Sequence, residues 1–188
     1  VHQALISTER LELHHIPADG LISLLDEKSD LLAIANRSFS NPLKVLVDDE
    51  GPLPWRVPQV KTDPSTNKWF IRFIVLKEIN QVIGSVSFHG IPDENGMMEI
   101  GIGIEEPFRG KGYAREALRG MWKWVCGQPD VKILRYTVSP SNAPSIAIIE
   151  HFGFTYIGEQ LDEIDGPENI YEMSVEEFQV KWGSKNER

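Results

Sequence analysis

The chain has 188 residues, of which 41% are hydrophobic, and its 19 Lys and Arg face 28 Asp and Glu for a formal net charge of −9. That length and apolar content suggest one domain, residues 1–188, with a sizeable core. The acidic balance argues against a general binder of nucleic acid, whose phosphates it would repel, and favours a cationic partner such as an amine or a basic peptide.

The one cysteine, Cys126, excludes an intrachain disulfide and a cysteine-based metal site. No apolar run approaches the length of a membrane span, and the first residues carry neither a basic region nor a long apolar one. The expectation is a cytoplasmic protein that engages no membrane.

Leu11 and Leu13 alternate with Glu12 and His14, which places a strand within residues 4–16. Pro17-Ala18-Asp19 opens a helix carrying Leu21, Ile22, Leu24 and Leu25. A second helix is expected from Asp30 to about Arg37. The stretch 39–67 holds five of the twelve prolines (Pro42, Pro52, Pro54, Pro58 and Pro64). It reads as an irregular insertion, because proline breaks both helix and ladder. So long a loop is usually functional or disordered, and Trp55 favours one that packs on something. A substrate lid and a loop merely pinned by that tryptophan are both open.

Residues 69–77, 82–89 and 97–104 read as three strands joined by short turns, an antiparallel meander. The helix expected over 112–126 places Ala114, Ala117, Leu118, Met121, Trp122 and Val125 on one face. Residues 133–138 form a strand that returns after a helical crossover, hence parallel to 97–104. A helix over 145–152 stops at Gly153, a hairpin follows over 154–160 and 169–175, and a short helix (176–182) precedes a frayed tail at 183–188.

The segment Arg109-Gly110-Lys111-Gly112-Tyr113-Ala114 stands between a strand and a helix N-terminus. Backbone N–H groups and the helix dipole favour an anion there, and the glycines let it approach the backbone closely. With Arg109 and Lys111 flanking it, the turn reads as a pyrophosphate site. A plain helix start after a surface turn is the competing reading. A P-loop is disfavoured, because no Gly-Lys-Ser/Thr supplies a hydroxyl for magnesium.

Arg109-x-x-Gly112-x-Ala114 resembles the Q/R-x-x-G-x-G/A signature of the GCN5-related N-acetyltransferase (GNAT) superfamily. Asn142-x-x-Ser145 with Glu150-His151-Phe152-Gly153-Phe154, and Gly112-Tyr113-Ala114-x-Glu116-Ala117, resemble the subgroup of ribosomal-protein N-terminal acetyltransferases (RimJ/RimL-like). The resemblance covers roughly residues 5–173 and is sharp over 98–154. It implies an α+β layered fold whose mixed, mostly antiparallel sheet contains a splayed parallel strand pair, 97–104 with 133–138.

It also implies acetyl-CoA between those strands, with no metal. The pantetheine arm would pair with the backbone at Ile102 and Ile104. The pyrophosphate would lie on Arg109, Gly110, Lys111, Gly112, Tyr113 and Ala114. Asn142 would hold the pantetheine, and Ser145 would stand near the thioester sulfur.

The implied reaction moves acetyl to a primary amine, a protein N-terminus or a small molecule, by direct attack. The partner is that amine acceptor, and a homodimer is compatible with the resemblance. Many relatives place a Glu base on the motif strand. Glu99 is near, but it stands an odd number of residues from Ile104 and would face the opposite way unless a bulge intervenes. His89 is the other candidate base. The Tyr that some relatives use as acid, seven residues after the motif Asn, is Ile149 here, which leaves Ser145 as the donor to the thiolate. A non-catalytic acyl-CoA-binding or regulatory module is the alternative.

Overall fold

β1 (Ile6–Ser7) and β2 (Leu11–His15) begin an antiparallel sheet that continues through β3 (Arg72–Leu76) and β4 (Gln81–Phe88). The computed structural model describes residues 3–183, which divide into two compact units: 3–91 with 101–121, and 92–100 with 122–183. Position 183 is the only part of the expected tail inside the described residues; 184–188 lie outside them.

In the first unit Leu13 faces Ile74 across β2 and β3. Every residue of β3 is buried. This explains the apolar run Phe73-Ile74-Val75-Leu76 after Arg72, since a strand covered on both faces has no reason to alternate. α1 (Ala18–Asp26) follows Pro17, whose fixed φ suits a helix start, and it buries Leu21 and Leu24.

The expected helix over 30–37 is a succession of turns. Ile34 N–H donates to Asp30 O at 3.0 Å, but Asn36 then takes φ 58°. Leu31 is 73% exposed and Leu32 46%, so a helix here would have had little apolar face to bury.

The expected irregular stretch 39–67 instead contains α2 (Leu53–Thr62) and a 3-10 helix, Pro64–Trp69. Pro52 and Pro54 sit at the helix start, where backbone N–H groups have no helical partner to lose. Only Pro58 lies inside. Leu53, Val57 and Val60 bury one face at helical spacing. Asp63 then accepts from Ser65 N at 2.9 Å to start the 3-10 helix.

β5 (Met97–Ile104) gives its second half to this unit and its first half to the other. α3 (Tyr113–Cys126) likewise runs through both. The second unit adds β6 (Ile133–Val138), α4 (Ala143–Phe152), β7 (Thr155–Asp162), β8 (Gly166–Ser174) and α5 (Val175–Trp182).

β5 and β6 are parallel, in register from Met97 opposite Ile133 to Glu99 opposite Arg135. β6 goes on to Val138, paired along its length with antiparallel β8. The strand order is β1-β2-β3-β4-β5-β6-β8-β7, a mixed, mostly antiparallel sheet with one parallel pair, as expected. Trp122, fully buried, packs on Phe152 at 5.0 Å and Phe154 at 4.7 Å between ring centroids. Gly153 ends α4 with φ 83°, a left-handed cap that explains the glycine after Phe152.

Candidate functional site

A 3-10 turn, Glu106–Phe108, carries the chain from β5 to the Gly-rich segment. Gly110 and Gly112 take φ of 74° and 82°, a region that L side chains rarely enter. Beyond Gly112, whose carbonyl accepts from Glu116 N at 3.1 Å, α3 begins. Among the described residues, its chain neighbours aside, no heavy atom stands within 4 Å of a Cβ built on Gly110, so its backbone is open to an approaching group. Residues 109–112 are exposed. Arg109 Nε donates to Ile104 O at 2.7 Å, and Lys111 Nζ lies 5.6 Å from the Phe108 ring centroid. Tyr113 is buried, so at that position and at Ala114 an anion would meet backbone rather than side chain.

The underside of the turn holds Arg10, which sequence inspection did not single out. Its guanidinium lies 4.5 Å from the Tyr113 ring centroid and donates to Lys111 O at 2.9 Å. Arg10 Nε also donates to Glu116 Oε1 at 2.7 Å. Burial alone would raise the Glu116 carboxyl. Hydrogen bonds from Thr8 and Arg10, with the Arg10 charge, outweigh it and hold the group below its ordinary value.

A cleft of about 280 Å³ opens in the same unit. One wall is the second half of β5, Gly101 to Ile104, continuing to Glu105 and Arg109. Ser85, Ser87 and His89, alternate residues along β4 and just past its end, supply a second wall on one face. Val45, Leu46, Asp49, Gly51, Pro52 and Arg56 close the third side from the stretch that reads as a loop in sequence. Of these, Arg56 is buried and its guanidinium carbon lies 5.8 Å from the Phe70 ring centroid.

Ile102, Ile104, His89 and Arg109 thus meet at one cleft, as a common site requires. Glu99 does not line it. Glu99 lies in the other unit, where its Oε1 accepts from Thr137 Oγ1 at 2.5 Å. Ser85, Ser87 and the 45–56 wall were missed; the alternation Ser-x-Ser-x-His was the one available signal.

Asn142 and Ser145 also lie in the second unit. Asn142 is the N-cap of α4, its Oδ1 accepting from Ser145 N at 3.2 Å. The Ser145 hydroxyl is hydrogen-bonded to Tyr136. Burial raises the Tyr136 phenol above its usual value, and that bond offsets part of the rise. Burial pushes the Cys126 thiol up to about 12, so it carries no thiolate at neutral pH and is no nucleophile.

Residues 41–155, more than half of the chain, match the family model of the acetyltransferase (GNAT) domain. The chain belongs to the GNAT acetyltransferase family. The match takes in most of the stretch expected to be an insertion. Among curated proteins, the chain is 34% identical over 88 residues to "Uncharacterized N-acetyltransferase YjdG" of Bacillus subtilis (strain 168), covering 46% of this chain and 52% of that one. The chain spans about half the length of the curated relatives it matches.

Among solved structures, the ribosomal-protein-S5-alanine acetyltransferase from Vibrio fischeri superposes with a TM-score of 0.66 at 17% identity, covering 94% of this chain and 99% of that one. RimL, the ribosomal L7/L12 alpha-N-protein acetyltransferase in complex with coenzyme A, gives 0.62 at 17% identity, covering 91% and 98%. These likenesses establish the fold. Among the described residues no helix is long and apolar enough to cross a membrane.

Proposed function

We propose that this GNAT domain moves acetyl from acetyl-CoA to a primary amine, a protein N-terminus or a small molecule, by direct attack in a ternary complex. The observation that carries the reading is the exposed turn 109–112, with two left-handed glycines, at the start of α3 and sharing Arg109 with the cleft. Open space where a Gly110 Cβ would stand fits a pyrophosphate against the backbone. RimL, a structural neighbour, was solved with coenzyme A, which supports the cosubstrate.

Acetyl-CoA, when bound, supplies an acyl carbon and a thiolate leaving group. The chain's own residues do the rest. Backbone N–H groups of the turn, with Arg109 and Lys111, hold the pyrophosphate. The backbone of Ile102 to Ile104 pairs with the pantetheine and donates to the thioester oxygen as it gains charge. His89 faces the cleft and takes the proton of the attacking amine. The nitrogen–carbon bond forms as the carbon–sulfur bond breaks, and the thiolate takes a proton. The resemblance gives Asn142 the pantetheine and puts Ser145 near the sulfur, and with Ile149 at the acid position Ser145 is the remaining donor of that last proton. A cleft of about 280 Å³, at the small end of ligand pockets, suits the amine end of an acceptor. The cytoplasm is the compartment this reading expects.

The test is release of free CoA from acetyl-CoA with a panel of amines and peptide N-termini. Turnover on a primary amine is the expected result. Tight acetyl-CoA binding with no turnover on any acceptor would favour the non-catalytic module. Two features lean that way: Ile149 at the position of the acid Tyr, and Glu99 bonded to Thr137 and not among the residues that line the cleft.

A further inference from the structure

We propose that Arg10 is a positioning residue for the pyrophosphate turn, setting the orientation of the Lys111–Gly112 peptide. This rests on reading residues 109–114 as the pyrophosphate site. Thr8 and Arg10 sit in the tight turn joining β1 and β2, closed by Thr8 N to Leu11 O at 2.9 Å and Leu11 N to Thr8 Oγ1 at 3.1 Å. From there Thr8 Oγ1 at 2.5 Å and Arg10 N at 2.8 Å both donate to Glu116 Oε2. Arg10 Nε takes Oε1 of the same carboxylate at 2.7 Å. The guanidinium, clamped between Glu116 and the Tyr113 ring, has Nη1 left to hold Lys111 O at 2.9 Å.

A trans peptide points its C=O and its N–H to opposite sides. Holding Lys111 O toward Arg10 therefore turns Gly112 N–H away from Arg10. That bond is needed because Lys111 stands between two glycines, where rotation of the peptide meets little resistance. A rotated peptide would present an oxygen lone pair to a phosphate in place of a donor. Glu116 contributes a second effect. A carboxylate in the first turn of α3 would compete with an anionic ligand for the helix N-terminus. Three donors from the β1–β2 turn occupy its oxygens instead. Arg10, neutralised by Glu116, contributes orientation more than charge. Its Nη2 also lies 3.3 Å from where a Gly112 Cβ would stand, so the brace and the glycine are fitted to each other.

The experiment compares acetyl-CoA with acetyl-pantetheine, which lacks the pyrophosphate, as ligands and as donors for wild type, Arg10→Ala and Arg10→Lys. Both variants should bind acetyl-CoA about tenfold more weakly, bind acetyl-pantetheine within about twofold of wild type, and keep kcat at saturating acetyl-CoA. Lysine should not rescue, because one ammonium cannot span Glu116 and Lys111 O as a guanidinium does.

Equal losses for both ligands, no loss for either, or full rescue by lysine would overturn the proposal. Should Arg10→Ala fail to fold, Arg10→Lys decides by the same comparison. If wild type binds both ligands equally, the pyrophosphate reading of the turn falls, and this inference with it.

Discussion

The Nε2 atom of His89 lies 2.9 Å from the point where a Cβ on Gly101 would stand. The ring of His89 thus rests over the β5 backbone, and only glycine at 101 leaves it that place. Gly101→Ala should push the ring aside at little cost in stability, since a side-chain end can move. His89→Ala should lower kcat by about 10²–10³-fold and leave the acetyl-CoA Kd unchanged. Gly101→Ala should lower it less, with Tm held. Steady-state kinetics with calorimetric Kd values checks both, and a normal kcat in His89→Ala would remove the base assignment.

Glu99 bears the opposite expectation. Its carboxylate is bonded to Thr137 and does not line the cleft, so Glu99→Gln should keep kcat within about threefold of wild type. A hundredfold fall at unchanged acetyl-CoA affinity would return the role of base to Glu99.

Gly112 carries both a φ of 82° and the close guanidinium of Arg10. Gly112→Glu should abolish acetyl-CoA binding through bulk and charge, and should cost about 1–3 kcal/mol from backbone strain. Isothermal titration and thermal melts measure the two effects separately. Unchanged acetyl-CoA affinity would remove the site.

Gly84 is constrained by backbone rather than by a side chain. A Cβ there would stand 2.1 Å from Gly103 O, a contact that neither strand can relieve locally. Gly84→Ala should destabilise the fold by about 2–4 kcal/mol and disturb the cleft wall at Gly103. A melt within a degree or two of wild type would contradict this.

His14 is buried against Phe39, with Nε2 at 2.8 Å from Glu12 and Nδ1 at 3.2 Å from Arg37. Burial holds its pKa below the ordinary 6.5, outweighing the pull of Glu12 in the other direction. The unfolded chain therefore binds this proton first as pH falls. The stability from a neutral His14 is complete above about pH 6.5 and is lost as pH drops toward the folded value. Melts of wild type and His14→Gln should converge across that window, and parallel curves would exclude the linkage.

The turn at 109–114, the strands at 97–104 and 133–138 and the family resemblance were all legible in the chain, because each is written in a window of neighbouring residues. Glycine demands at 110 and 112, period-two runs and helix stops are local physics. α2 was hidden for the same reason: five prolines between 39 and 67 outweighed the spacing of Leu53, Val57 and Val60. Proline at a helix start costs nothing, but only the observed start at Leu53 shows which prolines stand there.

The sequence by itself determined the glycine turn at 109–114 and the family to which the chain belongs. Tertiary structure alone decided that Arg10, 101 residues before Lys111, braces it, and that His89 rather than Glu99 lines the cleft. The physical reason is that long-range pairing and the choice of strand face depend on which surfaces pack together. No spacing between neighbours records that choice.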